Sequence, residues 1–204
     1  QKWKQSVCDR MAGGVEQLLK GNGVVIKRGE ASFKSATELA VKSASGSEVI
    51  AAKNYILATG SRPVEIPGFA FDEKTVLSST GALALSERPK KVVVIGGGYI
   101  GLELGSVLRN LGVEVTVLEA GKALLAGVAD VDAVQVVARR LKKNGVEVVL
   151  EAKAKSYQKT KSGIEILVDI KGQEKKIEAD KVLVTVGRRP NSDQCNLKGI
   201  GLAI

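Results

Sequence analysis

The spacing of apolar residues predicts first a helix and then a group of strands. Six apolar residues near the N-terminus recur at helical intervals, and Gly21 follows as a C-terminal stop, which is typical of an amphipathic helix. Four apolar runs after it are separated by turns rich in Ser, Gly and Lys, which predicts short strands. The helix positions are Trp3, Val7, Met11, Val15, Leu18 and Leu19, and the runs lie at 24–34, 37–43, 48–53 and 55–58.

A connection that contains three of the four prolines, over residues 60–90, separates this part from one with a different periodicity. We expect a domain boundary near residue 88, where the composition changes. From Lys91 onward the pattern alternates between strands at 91–95, 113–118 and 146–150 and helices at 98–111 and 131–143. Asp130 is suited to cap the second helix, and Asn144 with Gly145 is suited to end it.

Strands that alternate with helices predict the fold class α/β, with a parallel sheet. Three strand-like segments at 152–158, 163–170 and 174–179 then predict a β-meander, and the apolar run 182–186 predicts a last strand. We predict one domain over 1–88, a second over 89–190, and a segment 191–204 that returns towards the first.

Three glycines follow the first strand of the second domain in a GxGxxG register. Gly96, Gly98 and Gly101 stand where a sharp turn, a close approach to a pyrophosphate and close packing of helix on strand each exclude a Cβ atom. An anion fits the N-terminus of the helix that follows. The order of strand, turn, helix and strand predicts a Rossmann-like dinucleotide site; a βαβ unit that packs tightly and binds nothing is the alternative.

An acidic residue ends the second strand of this unit. Glu119 follows the glycines at about the 20-residue spacing of the acid that hydrogen-bonds the adenosine ribose. A carboxylate there accepts from a 2′-hydroxyl and repels a 2′-phosphate, so this residue favours NAD over NADP.

The first domain repeats the end of the second. Asn22-Gly23 parallels Asn144-Gly145, three short strands follow each pair, and YILATGSRP (55–63) parallels VLVTVGRRP (182–190). A repeat of this kind predicts that the first domain is also a nucleotide-binding domain. The glycine-rich segment with which this first domain would begin is not among the 204 residues. We therefore expect the sequence to be a portion of a longer protein.

Composition narrows the class of protein. The chain has 204 residues, 44% of them hydrophobic, and no apolar run approaches the roughly 20 residues of a membrane span, so we expect a soluble protein. Cys8 and Cys195 have no disulfide or zinc spacing and there is no His, which favours free thiols in a reducing compartment.

The chain has a net charge of +9, and residues 139–176 contribute +6 of it, with eleven Lys or Arg against five Asp or Glu. Aromatic residues make up only 3% of the chain, which speaks against nucleic acid. Solvated side chains explain such a stretch, and an acidic partner is the alternative.

Four motifs in this order resemble the dihydrolipoamide dehydrogenases, of the flavoprotein disulfide reductases. They are ATGSRP (58–63), LSSTGALAL (77–85), GGGYIGLELG (96–105) and TVGRRPN (185–191). The resemblance implies FAD on the first domain and NAD on the second, with electrons passing from dihydrolipoyl groups of 2-oxoacid dehydrogenase acyltransferases through a cysteine pair and the flavin. It also implies a homodimer, in the bacterial cytoplasm or the mitochondrial matrix.

The resemblance also implies site residues. Glu119 falls on the ribose-binding acid, Tyr99 on a ring that covers the nicotinamide pocket in some relatives, and Glu103 on an acid near the flavin. The implied NAD contacts are Gly96, Gly97, Gly98, Tyr99, Ile100, Gly101, Leu102, Glu103, Glu119, Ala154 and Gly187. The implied FAD contacts are Ala31, Thr59, Gly60 and Ser61.

Two elements of that family are missing from these 204 residues, a CxxxxC pair and a histidine base. We expect no catalytic residue and no lipoamide turnover from this polypeptide alone. Two alternatives stay open: a sibling such as glutathione reductase, mercuric reductase or a soluble transhydrogenase, and a non-catalytic nucleotide-binding module.

Overall fold

The structure is a computed structural model that describes residues 1–161 and 163–203. The chain forms two compact units, one of Gln1–Arg62 with Arg189–Ile204 and one of Pro63–Arg188. Residues 63–88, which the sequence grouped with the first domain, lie in the second unit. The return segment 191–204 lies in the first unit, apart from Ile204, which is outside the described residues.

A five-stranded parallel sheet forms the centre of the second unit. Its strands are β5 (Val76–Leu77), β6 (Lys91–Ile95), β7 (Glu114–Glu119), β8 (Glu147–Leu150) and β12 (Lys181–Val184). They stand in the order β5-β12-β6-β7-β8, and every adjacent pair is parallel. The predicted strands, the two helices between them and the α/β class are confirmed. The helices are α3 (Tyr99–Asn110) and α4 (Val131–Lys143), preceded by the short α2 (Ser79–Ala84).

Both faces of this sheet are covered, which explains the unbroken β-branched run of β6. Val92 and Val94 belong to a core that also contains Leu102 and Leu108 of α3. Val93 and Ile95 belong to a second core on the opposite face. Alternate residues of one strand therefore bury against two different layers.

The second core is formed with an antiparallel meander. Its strands are β9 (Ala152–Lys159), β10 (Ile164–Ile170) and β11 (Gln173–Ala179), in the order β11-β10-β9. Ile164, Ile166 and Val168 alternate along β10 and are buried in this core. Phe69 is also fully buried there, with its ring 5.4 Å from that of Tyr157. The predicted meander is confirmed.

The first unit contains a helix and a smaller meander. Helix α1 (Lys2–Gly21) confirms the predicted amphipathic helix, and the strands β1 (Glu30–Ser35), β2 (Glu38–Ser43) and β3 (Gly46–Ala51) pair in sequence order. The Phe33 and Tyr55 rings meet edge to face at 5.0 Å. Two remaining strands, β4 (Ser61–Pro63) and β13 (Arg188–Pro190), pair with each other, and a 3₁₀-helix covers Lys198–Ile200.

In the first unit, the predicted strand 55–58 is wrong, and the predicted strand 24–34 is confirmed only from Glu30 onward, as β1. Residues 24–29 and 55–58 have the apolar composition of strands but belong to none of the strands in the described part of the chain. Ile56 is 95% exposed, and no residue of α1 is buried. A strand needs a neighbour for its backbone groups, and among the described residues these two segments have none. Apolar composition alone is therefore not sufficient to form a strand.

A turn before β5 is held by one carboxylate. Asp72 accepts hydrogen bonds from the backbone N–H groups of Lys74, Thr75 and Val76 at 2.6 to 2.9 Å, and Lys159 Nζ lies 3.7 Å away. Burial works against ionisation, but the three donors and the lysine outweigh it and lower the pKa of Asp72 from 3.8 to about 2. The ionised form therefore stabilises the folded state.

We expect Asp72→Asn to flatten the acid end of the stability profile. Because the folded pKa is depressed, the stabilisation is complete above about pH 4 and is lost as the pH falls through about 2. Its size is about 1 kcal/mol, since the side chain is 34% exposed to screening solvent. Denaturant unfolding between pH 2 and 7 measures it, with Asp130→Asn as a control because Asp130 makes no side-chain capping bond. Parallel profiles for wild type and Asp72→Asn would contradict the prediction.

Candidate functional site

A cleft of about 930 Å³ opens in the second unit at the carboxyl ends of β6, β7 and β12. This edge is where ligands bind in open parallel sheets. Most of the residues that line it come from the glycine turn, the ends of the strands and the start of β9, and the others come from the segments before β5 and before α4. They include Ile66, Pro67, Gly96, Gly98, Tyr99, Ile100, Leu118, Glu119, Ala120, Val128, Lys153, Ala154, Lys155, Thr185, Val186, Gly187 and Arg188.

The three motif glycines meet three different constraints. Gly96 has a φ of +108°, and a Cβ there would lie 2.7 Å from the Thr185 carbonyl oxygen. A Cβ on Gly101 would collide with the Gly96 carbonyl and the Thr185 hydroxyl. Gly98 is different, because a Cβ there would meet no atom within 4 Å and its φ of −78° suits any residue. The structure therefore requires glycine at 96 and 101, while at 98 it leaves open space in the cleft.

Helix α3 begins at this open space. Gly98 is its N-cap, and Leu102 N–H donates the first intrahelical bond to the Gly98 carbonyl at 3.1 Å. The amides of the first turn have no acceptor within the helix, so they and the helix dipole favour an anion at this point. The turn can thus accept a phosphate group against bare backbone.

Glu119 ends β7 at the rim of the same cleft. One carboxylate oxygen accepts from Gly97 N–H at 2.7 Å and the other from Gly121 N–H at 2.6 Å. The side chain is half-buried, and it also lines the cleft. The predicted ribose acid is therefore brought to the glycine turn, with both oxygens already hydrogen-bonded to backbone.

Sequence reasoning missed Thr185, which follows β12. Its buried hydroxyl lies 3.2 Å from the Ile95 carbonyl and 3.3 Å from that of Gly96, and its N–H donates to Ile95 at 2.8 Å. Thr185 therefore holds the strand end that precedes the turn. The TVGRRP segment contained it, but a threonine in a strand gives no sign of such a role.

The remaining predicted residues of the second unit take different positions. The Tyr99 ring is 56% exposed and lines the cleft with Ile100, whereas Leu102 is buried in the core. Glu103 is exposed on α3 and is not among the residues that line the cleft. Ala154 and Gly187 line the cleft.

Three basic residues also lie around the cleft: Lys153, Lys155 and Arg188. Lys155 Nζ is 3.2 Å from Asp169 and 3.5 Å from Glu174, and the hydrogen bond to Asp169 raises the lysine pKa. The cleft therefore combines an apolar floor with charges of both signs at its rim.

The four predicted FAD residues lie in the first unit. Ala31 is in β1 opposite Val41. Thr59 and Gly60 form an exposed loop, in which Gly60 has a φ of +71°, and the exposed Ser61 begins β4. The structure thus places these four residues and the predicted NAD residues in separate units, each with its own fold.

The return segment 191–204 holds both the loop at Thr59 and the strand β1, which carry the predicted FAD contacts. Asn191 Nδ2 donates to the Thr59 carbonyl at 2.9 Å, and Arg62 pairs with Asp193, which lowers the pKa of that carboxyl. Further along, Asn196 Nδ2 donates to the Phe33 carbonyl of β1 at 2.9 Å. Residues from the far end of the chain therefore hold the loop and the strand that carry the predicted FAD contacts.

The basic stretch 139–176 divides into two parts in the structure. Several lysines of the meander have acidic partners nearby, for example Lys171 with Glu151 and Lys176 with Glu165. The cations of α4 lie in and beside its last turn, where the helix dipole favours positive charge. Local structure therefore accounts for much of the charge, and an acidic partner stays an untested hypothesis.

Three further findings concern other classes of site. Cys8 and Cys195 are both free thiols. In the described part of the chain, no three potential metal ligands come together, and no helix is both long and apolar enough to cross a membrane.

The family described as pyridine nucleotide-disulphide oxidoreductase matches residues 2–204. Dihydrolipoyl dehydrogenase of Staphylococcus aureus is 50% identical over 202 residues, which are 99% of this chain and 43% of that protein. The chain thus spans less than half the length of this relative.

Two solved structures share the fold. LpdA from Mycobacterium tuberculosis superimposes with a TM-score of 0.83 at 24% identity, over 97% of this chain and 44% of that one. The flavoprotein disulfide reductase RclA from Escherichia coli gives a TM-score of 0.77 at 27% identity, over 89% of this chain and 40% of that one. The predicted Rossmann-like class is confirmed.

We expect Gly101→Ala to destabilise the second unit, because the new methyl group would collide with the Gly96 carbonyl and the Thr185 hydroxyl. Overpacking of this kind costs about 1–3 kcal/mol. Gly105→Ala on the same helix is the matched control, since its Cβ would make an ordinary contact 3.4 Å from Val115 Cγ1. Thermal unfolding of both variants measures the difference, and an unchanged midpoint for Gly101→Ala would be inconsistent with the described packing.

Proposed function

Because the chain belongs to the pyridine nucleotide-disulphide oxidoreductase family, we propose that it forms the NAD-binding domain and part of the FAD-binding domain of a dihydrolipoyl dehydrogenase. The parent enzyme would oxidise dihydrolipoyl groups of 2-oxoacid dehydrogenase acyltransferases through a disulfide and FAD, and reduce NAD. It would be a cytoplasmic homodimer if bacterial.

The observation that carries this proposal is the open space at Gly98. Among the three motif glycines, only this one has neither a steric neighbour at its Cβ position nor a φ that demands glycine. The absence of a side chain there is explained by a ligand that lies against the backbone at the start of α3. A pyrophosphate is the group that such a turn accepts.

Glu119 supports NAD rather than NADP. Its carboxylate lies at the cleft rim, where it can accept from ribose hydroxyls and would repel a 2′-phosphate. The residues that follow it, Ala120 and Gly121, offer no guanidinium to bind such a phosphate.

The cleft also suggests how the nicotinamide end is held. Val186 and the Tyr99 ring are exposed apolar surfaces at the cleft, suited to cover an aromatic ring and exclude water. When bound, NAD and FAD supply the hydride chemistry, while these side chains orient the ring. Glu103, exposed on α3, would pair with a cation from outside this chain.

In the first unit, Ala31 and the loop of Thr59, Gly60 and Ser61 would contact FAD, held by the return segment. Neither a CxxxxC pair nor a histidine occurs in the 204 residues. The polypeptide alone would therefore bind NADH without oxidising dihydrolipoyl groups.

A sibling reductase is the second candidate function. RclA is named a flavoprotein disulfide reductase and shares the fold at 27% identity. The 50% identity to a dihydrolipoyl dehydrogenase over 202 residues favours the lipoyl branch over that candidate.

We expect Gly98→Ala to weaken NADH binding by about tenfold or more without lowering stability. The new methyl group has room in the free protein but would occupy the space of the pyrophosphate. A tenfold loss of affinity corresponds to about 1.4 kcal/mol of binding free energy. Quenching of NADH fluorescence gives the dissociation constant, and thermal unfolding gives the stability.

Gly105→Ala is again the control, because its position on α3 is away from the cleft-lining residues. NADPH should bind wild type more weakly than NADH. Equal NADH affinity for wild type and Gly98→Ala would rule out the pyrophosphate at this turn.

A further inference from the structure

We propose that Glu119 is a positioning residue that fastens the glycine turn to the loop after β7, and that this role is separate from any contact with a ribose. The inference rests on the proposed NAD site for its binding readout, but its geometry is a property of the ligand-free chain. The groups involved are the Glu119 carboxylate, the two backbone N–H groups that donate to it, and Leu125, which has a left-handed backbone conformation.

The carboxylate bridges two chain segments that are far apart in sequence. Oε2 accepts from Gly97 N–H at 2.7 Å, inside the glycine turn, and Oε1 accepts from Gly121 N–H at 2.6 Å, just after β7. Both are charge-assisted bonds to a half-buried group, which are stronger than bonds between neutral groups. One side chain thus fixes the distance between turn and loop.

Both partners are glycines, and at each of them the backbone comes close to the carboxylate. A Cβ on Gly97 would lie 3.0 Å from Oε2 of Glu119 and 2.6 Å from Leu124 Cδ2. A Cβ on Gly121 would lie 3.0 Å from Oε1. Gly97 is buried, and it stands outside the GxGxxG positions, so the phosphate-binding motif does not account for it. A side chain at position 97 would displace the ends of the Glu119 and Leu124 side chains.

A second contact returns from the loop to the same glycine. Leu125 N–H donates to the Gly97 carbonyl at 3.0 Å, and Leu125 has a φ of +51°, which a non-glycine residue adopts at a cost. Gly97 therefore donates to Glu119 and accepts from Leu125. The turn and the loop 120–125 form one hydrogen-bonded assembly, and the carboxylate is its charged member.

Because of this assembly, replacing Glu119 would affect cofactor binding in two ways. Replacement by arginine would remove the repulsion of a 2′-phosphate, but it would also place a donor against two backbone N–H groups and release the turn that binds the pyrophosphate. A charge reversal at this position alone should therefore weaken both NADH and NADPH rather than exchange one for the other.

The test compares two ligands on the 204-residue chain: NADH, and an analogue whose adenosine ribose has neither the 2′- nor the 3′-hydroxyl. If Glu119 positions the turn, Glu119→Ala weakens the analogue as well as NADH, by about tenfold or more for two charge-assisted bonds, and any additional loss for NADH alone measures a ribose contact. Glu119→Gln keeps one acceptor oxygen and should recover part of the loss for both. If Glu119 only binds the ribose, neither variant affects the analogue, and the proposal is wrong.

Amide hydrogen exchange without ligand gives an independent reading. The Gly97 and Gly121 amides should exchange faster in Glu119→Ala and to an intermediate extent in Glu119→Gln, while the global unfolding transition is retained. Unchanged exchange at both amides overturns the proposal. Glu114→Ala is the matched control, an exposed acid at the opposite end of β7 that pairs with Lys91.

The two proposals fail in different ways. If wild type binds neither ligand, the NAD site is refuted, and the exchange rates of the two amides still decide the role of Glu119. Should Glu119→Ala fail to fold, Glu119→Gln carries both measurements, because it preserves the shape of the side chain.

Discussion

The cleft depends on one constraint, the close packing of the glycine turn against Thr185 at the end of β12. A Cβ on Gly96 would lie 2.7 Å from the Thr185 carbonyl oxygen, and a Cβ on Gly101 would lie 2.5 Å from the hydroxyl of the same residue. Because no side chain intervenes, β6 can end and α3 can begin in one sharp step, so that the helix N-terminus faces the cleft. Without this approach the sheet and helices could still form, but the first-turn amides would not be aimed at the carboxyl edge.

Elements whose partners lie within the chain could be predicted from the sequence. The run Val92–Ile95 is buried on both faces, and its composition alone indicated this. Residues 24–29 and 55–58 have a similar composition, yet they form no strand, because a strand is a property of a pair. The apolar and β-branched composition of a segment indicates how well its residues suit a sheet. It does not indicate whether another strand pairs with the segment.

The candidate site shows the same division. Gly96, Gly98, Gly101 and Glu119 could be found because the motif places them at fixed spacing. Thr185 could not be found in this way, since its contacts reach a turn some ninety residues earlier in the chain. The bonds from Gly97 and Gly121 to Glu119 are also invisible in the pattern, because a spacing that suits a ribose contact does not reveal that backbone already uses both oxygens.

The glycines of the turn therefore have two different roles, packing within the protein and contact with a ligand, which the sequence motif does not distinguish. Glycines 96 and 101 are required by the protein itself, since a Cβ at either position would collide with backbone atoms. A Cβ on Gly97 would press on the Leu124 and Glu119 side chains, while a Cβ on Gly98 would meet no atom within 4 Å. A residue that the fold does not need is the one that reports on a ligand. A glycine-rich turn can thus be interpreted by asking, at each position, whether protein atoms already explain the missing side chain, and here that question selects the start of α3.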